Sequence, residues 1–286
     1  METHKLTRKD WVERIMLASL FLIVGSLIMI VFSPWRPLLD RTLDYLGRAV
    51  LIIILLISTL LVRKSKRSHQ YWQVIYGLLI LIVAVSLNWI TARILVDYFL
   101  VTDSTPAGWA LLKINDFIMI VSTVIILTKI GGGTLGSIYI QKGKLKLGLL
   151  IGLVTFLLAA AGSIPMAALF DGQNLTLDRI IPWIPWILIF VLCNAAMEEI
   201  LFRGLFFRKM EPFFGRFLPN FLIAFVFTVL HRAASYTVDQ MAFLAILFPL
   251  ALAWGYIMQK TDSVWASILF HAGMDIPIIL GIFSNL

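Results

Sequence analysis

The sequence predicts an all-α fold: a polytopic transmembrane helical bundle of about nine spans, with eight as the alternative count. Three observations carry that expectation. Of the 286 residues, 60% are hydrophobic and only 14% charged, whereas a soluble domain usually carries about 25% charged residues. Mean hydropathy is +0.93, and apolar runs of about 20 residues recur along the chain, each long enough as a helix to cross roughly 30 Å of hydrocarbon. Lys/Arg clusters fall in alternate connections between those runs, the pattern that fixes the orientation of a multi-pass protein.

Taken in order, the expected spans are 14–33, 43–62, 72–100, 108–129, 146–169, 180–207, 217–233, 239–258 and 263–284. Ahead of the first stand Lys5, Arg8, Lys9 and Arg14. The apolar stretch behind them is longer than a secretory core segment and lacks a clear cleavage site, so it reads as a retained first helix. The third and sixth spans are long enough to tilt or to project from the bilayer. Basic clusters occur before span one, in Arg63–Arg67, in Gln141–Lys146, in Phe207–Arg216 and weakly at Lys260. The intervening connections are neutral or mixed, with Arg36 and Arg41 a mild exception. A multi-pass protein of the cell membrane with a cytoplasmic N-terminus follows. The glycine run Gly131–Gly133 marks an internal boundary, giving a four-helix N-terminal portion (1–135) and a five-helix portion (136–286).

Composition also narrows function. The net charge of +8 lies in short clusters at helix ends rather than along one face, which sets orientation and excludes a nucleic-acid partner. A lone cysteine, Cys193, excludes an internal disulfide and a thiolate metal site. It is read as a small buried apolar residue rather than a nucleophile.

The unusual polar groups of the second half converge on three segments. Glu198 and Glu199 sit near the end of the sixth span, where a charge is costly unless it faces a polar cavity or a partner. Glu199 and Arg203, four residues apart, share a face and can pair, while Glu198 lies about 100° around the axis and can point elsewhere. On the seventh span Phe227 and His231 share a face, and on the ninth His271 and Asp275 do the same. Measured from the charges that end each span, Glu198 lies roughly 15 Å deep, His231 roughly 22 Å and His271 roughly 14 Å, compatible with one layer. His4 and His69 fall in basic connections and are read as solvated. A carboxylate and an imidazole around water make a general-base system, and a second imidazole can donate to an oxyanion, a set suited to amide hydrolysis. Asn88, Arg93, Lys113, Asn115 and Asp116, on the third and fourth spans, are read as internally paired, Lys113 with Asp116.

These segments resemble the CAAX protease and bacteriocin-processing (CPBP) family of intramembrane glutamic endopeptidases. EEILFR (Glu198–Arg203) resembles its Glu-Glu-x-x-x-Arg motif, FTVLH (Phe227–His231) its Phe-x-x-x-His motif and HAGMD (His271–Asp275) its final His-x-x-x-Asn/Asp motif. The likeness covers roughly residues 136–286. It implies that Glu198 and His231 activate water, that His271 with Asp275 forms the oxyanion site, and that Glu199, Arg203 and Phe227 support them. It also implies a peptide or protein substrate, lipidated or membrane-embedded, reached from a cytoplasm-facing cavity. Asp275 departs from the Asn of prenyl-protein-processing members: an ionised carboxylate cannot donate to an oxyanion, so Asp275 is read as orienting His271, and a prenylated substrate is less strongly implied. No cofactor is expected. Zinc on the two histidines and two carboxylates is the lesser alternative, since no His-Glu-x-x-His spacing exists. A non-catalytic membrane partner, such as a bacteriocin self-immunity protein, is the main rival. A transporter is the third, without the paired broken helices common in carriers.

Overall fold

A computed structural model describes residues 8–33, 38–234 and 236–286. Lys5, His4 and Arg36 lie outside the described residues. Within them every regular element is helical. Helix α1 (Arg8–Ser26) continues through a π turn (Leu27–Val31), followed by α2 (Arg41–Lys64), α3 (Trp72–Phe99), α4 (Pro106–Ile130) and α5 (Leu145–Ala161). Two short helices, α6 (Ser163–Met166) and α7 (Leu177–Ile180), precede α8 (Ile184–Glu198). A π turn (Glu199–Gly204) joins α8 to α9 (Leu205–Phe214), and α10 (Phe217–Leu230), α11 (Gln240–Thr261) and α12 (Trp265–Ser284) complete the chain.

Local chemistry sets several boundaries. Asp40 caps α2 by accepting from the Thr42 and Leu43 amides at 3.0 and 3.1 Å, and Arg63 and Lys64 in the last turn complement the helix dipole. Thr105 caps α4, with Pro106 in the first turn. Asp239 caps α11 through the Met241 and Ala242 amides, both at 3.0 Å.

Among the described residues, seven helical runs are long and apolar enough to cross a membrane, or eight if α5 and Ser163–Phe170, bent by 67° at their junction, form one broken span. Gly162 and Pro165 stand at that bend, where each disfavours a continuous helix. The run expected at 217–233 is instead the 14-residue α10, about 21 Å long and so short of the hydrocarbon thickness. Its C-terminus yields to a 3₁₀ turn at His231–Ala233 and then to irregular chain. The protein is a multi-pass membrane helical bundle.

Helices α3 and α12 are the most buried of the spanning runs, whereas α2 turns Ile53, Ile54, Ile57 and Leu61 outward. One apolar core runs through all the long helices; Phe21 of α1 meets Phe206 of α9 edge-to-face, with centroids 4.9 Å apart. Helix α5 packs along α12 through small residues: a Cβ at Gly273 would fall 2.8 Å from the Phe156 Cα, and one at Gly152 2.8 Å from the Leu269 Cβ.

The buried charged and amide side chains inside the first four helices are accompanied. Lys113 binds Asp116 at 3.2 Å, the pairing expected from their spacing. Asn88 donates to Asp116 at 2.9 Å and accepts from Asn115 at 2.8 Å. Arg48 binds Asp44 at 2.8 Å, and Arg93 lies over Trp89.

The end of the bundle that carries the basic connections is tied together. Gln141 donates to the backbone oxygen and carboxylate of Asp262, both at 2.8 Å, and Arg208 reaches the same carboxylate. Tyr139 donates to Glu211 at 3.0 Å; burial, then the Glu211 charge, push its phenol above the usual range, so this hydroxyl keeps its proton.

Candidate active site

The α8–π–α9 run places Phe190, Asn194, Glu198 and Phe202, each four residues from the last, along the wall of a cavity of about 500 Å³. That volume lies in the range of ligand pockets, roughly 300–1,000 Å³. Glu198, His231, His271 and Asp275 all line it, together with Phe227, Trp254 and Lys113. Glu199 and Arg203 stand behind the wall, both fully buried. Cys193 does not line the cavity.

Glu199 is the hub. Its Oε1 accepts from Arg203 Nη1 at 2.6 Å and from His271 Nδ1 at 2.8 Å, and its Oε2 accepts from the Ser267 hydroxyl. Arg203 also donates to the Ala251 carbonyl at 3.0 Å and lies over the rings of Phe227 and Trp254, 5.0 and 5.4 Å from their centroids. A buried carboxylate is tolerated when paired and hydrogen-bonded in this way. The π turn carries both partners. Its i→i+5 pattern accommodates an extra residue in the helical path, a feature that recurs at functional sites.

Residues Ser267, His271 and Asp275 form one stripe on α12, at intervals of four. The bond to Glu199 makes Nδ1 of His271 a donor and directs Nε2 toward two further carboxyl groups: Glu198 Oε2 at 3.5 Å and Asp275 Oδ1 at 3.6 Å. The other Asp275 oxygen accepts from the Asn194 amide at 2.9 Å. Trp254 stacks on His271, with centroids 3.9 Å apart and planes 8° from parallel. Glu198 Oε2 is buried without a hydrogen-bond partner among the described residues.

His231 sits where α10 ends. Its Nδ1 lies 2.8 Å from the Phe227 carbonyl, one of the last-turn oxygens that a helix leaves unpaired. A carbonyl only accepts, so Nδ1 carries hydrogen and Nε2 keeps its lone pair. The Phe227 ring packs against both imidazoles, 4.5 Å from His231 and 5.9 Å from His271.

The three sequence segments therefore meet around one cavity, with one difference in detail. His271, rather than His231, is the imidazole beside Glu198. Four residues were missed as members of this set. Ser267 extends the His271–Asp275 spacing back by four, and Asn194 precedes Glu198 by four, so both had a signal. Trp254 had none, being one apolar residue among many on α11. Lys113 was read only through its pairing with Asp116. Among the described residues, no group of three or more His, Cys, Asp or Glu side chains has the arrangement of a metal site.

Residues 180–277, about a third of the chain, match the family described as type II CAAX prenyl endopeptidase Rce1-like. No curated protein and no solved structure matches the chain. The matched segment holds Glu198, Glu199, Arg203, Phe227, His231, His271 and Asp275, so the likeness to CAAX-type membrane proteases lies in the part of the chain that lines the cavity.

Proposed function

We propose that the protein is a metal-independent intramembrane endopeptidase whose nucleophile is water activated by Glu198 and His231. The observation that carries this reading is the buried Glu198 Oε2, without a hydrogen bond among the described residues, on the cavity wall beside an imidazole clamped by Glu199. Glu198 takes a proton as the water oxygen bonds to the scissile carbonyl carbon, while His231 Nε2 accepts the water's other hydrogen bond and orients it. Negative charge then gathers on the carbonyl oxygen. Protonated His271 Nε2 donates to it, and the Asn194 amide supplies the kind of donor that the Asp275 carboxylate cannot. Asp275 holds Asn194 and faces His271, which supports a positioning role. When the C–N bond breaks, Glu198 returns its proton to the leaving nitrogen.

Peptide and protein termini should be compared between membranes carrying the wild type and membranes carrying Glu198→Gln, and a terminus lost in the variant then assayed with both purified proteins. Glu198→Gln and His231→Ala should each lower cleavage at least about a hundredfold. Equal cleavage by wild type and Glu198→Gln would remove the glutamate mechanism. Inhibition by a chelator, reversed by zinc, would favour the metal-dependent alternative. If the protein protects cells from a peptide toxin and both variants protect fully, it acts as a non-catalytic partner.

A further inference from the structure

We infer that the cavity opens on the non-cytoplasmic face of the membrane, so that the substrate is a polypeptide segment presented outside the cytoplasm, exported or membrane-inserted. This deepens the proposed protease reading and rests on it.

The argument starts from the two ends of the bundle. Following the helices in turn, the start of α1, the α2–α3 connection, the α4–α5 connection, the α9–α10 corner and the α11–α12 turn all lie at one end. They carry Arg63–Arg67, Lys142–Lys146, Arg208–Arg216 and Lys260. At the other end the described basic residues are fewer, Arg41, Arg93, Arg179 and Arg232, and three of them are accompanied. Arg41 faces Asp97 at 3.7 Å, Arg93 lies over Trp89, and Arg179 lies over Trp183. Asp103, Asp171, Asp178 and Asp239 offset the charge there. The excess of Lys/Arg assigns the first end to the cytoplasm.

The helices that line the cavity do so mainly from their halves distal to that basic end. Helix α4 contributes Trp109 and Lys113 from its first turns, α11 contributes 242–254, and α12 contributes 271–282. Thr237 and Asp239, in the α10–α11 connection, complete the lining on that side. Irregular chain at this depth is tolerated in a membrane where it lines a cavity, which suits the early end of α10. The basic end, by contrast, is laced by Gln141, Arg208 and Asp262. A cytoplasm-facing cavity is the expectation from the sequence; the depths measured there from the charges that end each span give distance but not the direction of opening.

The test reads topology without needing a substrate. In a Cys193→Ser background, Val238→Cys, exposed beside the cavity, and Lys142→Cys, exposed at the basic end, are treated in intact cells with a membrane-impermeant maleimide. Val238→Cys should label as fully in intact cells as after lysis, and Lys142→Cys should stay at background until lysis. Labelling of Val238→Cys only after lysis, or of Lys142→Cys in intact cells that exclude the reagent from a cytoplasmic control, overturns the inference. Thr237→Cys replaces Val238→Cys if the latter does not accumulate. Failure here leaves the Glu198→Gln cleavage comparison untouched, and failure of that comparison leaves the labelling pattern intact.

Discussion

His271 lies flat against Trp254, their rings 3.9 Å apart at the centroids and 8° from parallel, while Glu199 holds Nδ1 at 2.8 Å. Stacking fixes the ring plane and the carboxylate fixes its rotation, so together they aim Nε2. Removing the indole should leave the hydrogen bond but loosen the plane. Trp254→Ala is expected to lower kcat by about ten- to a hundredfold, the scale on which a misplaced catalytic group costs rate, with a smaller change in KM. Trp254→Phe should retain most of the rate in the same steady-state assay.

The Glu199–Arg203 pair is fully buried, so deleting one partner strands a charge. Arg203→Met should destabilise the protein by about 3–5 kcal/mol, whereas Glu199→Gln with Arg203→Met should cost clearly less than the sum of the single changes. Unfolding in detergent, followed for the single and double variants, measures the coupling.

Asn194 and Asp275 meet at 2.9 Å across two helices. Asn194→Asp puts two carboxyl groups face to face and should lower activity by about tenfold or more. Exchanging the pair, Asn194→Asp with Asp275→Asn, rebuilds one amide–carboxylate bond and should recover part of that loss. Relative kcat values for the four proteins decide it. No recovery would assign Asn194 a place that only an amide on α8 can fill.

Gly273 abuts the backbone of Phe156, where an added Cβ would come within 2.8 Å. Backbone yields poorly, so Gly273→Ala should destabilise by about 1–3 kcal/mol, and it should lower activity further by pushing the stretch from His271 to Asp275 away from α8. A thermal melt and an activity assay on the same preparation test both effects.

Much of this architecture was legible. The apolar runs announced the long helices because a membrane-spanning segment must satisfy its backbone internally and present apolar side chains over some 20 residues. Glu198, His231 and His271 were legible because an ionisable group at membrane depth needs a reason. What escaped had no local signature. The shortness of α10 was hidden because hydropathy stays high through Val229 and Leu230, and windowed averages cannot separate a helix from the apolar turn that ends it. The bend after α5 was signalled by Gly162 and Pro165, but a single long run masked it. Trp254 looked like any other apolar residue of α11, since its role depends on which ring it meets. The π turn arises from tertiary demands on Glu199 and Arg203, which composition does not encode.

That π turn makes the site sensitive to chain length. Helix α9, downstream, is anchored by Gly204 against the Ile138 carbonyl and by Arg208 on Asp262. Deleting a single residue between Glu199 and Gly204 would return the path to ordinary α geometry with little change of phase between α8 and α9, but it would shorten the interval from Glu199 to Arg203 and break the alignment of that pair with Ser267, His271 and the Ala251 carbonyl. The spacing of Glu199 and Arg203 thus matters as much as their identities.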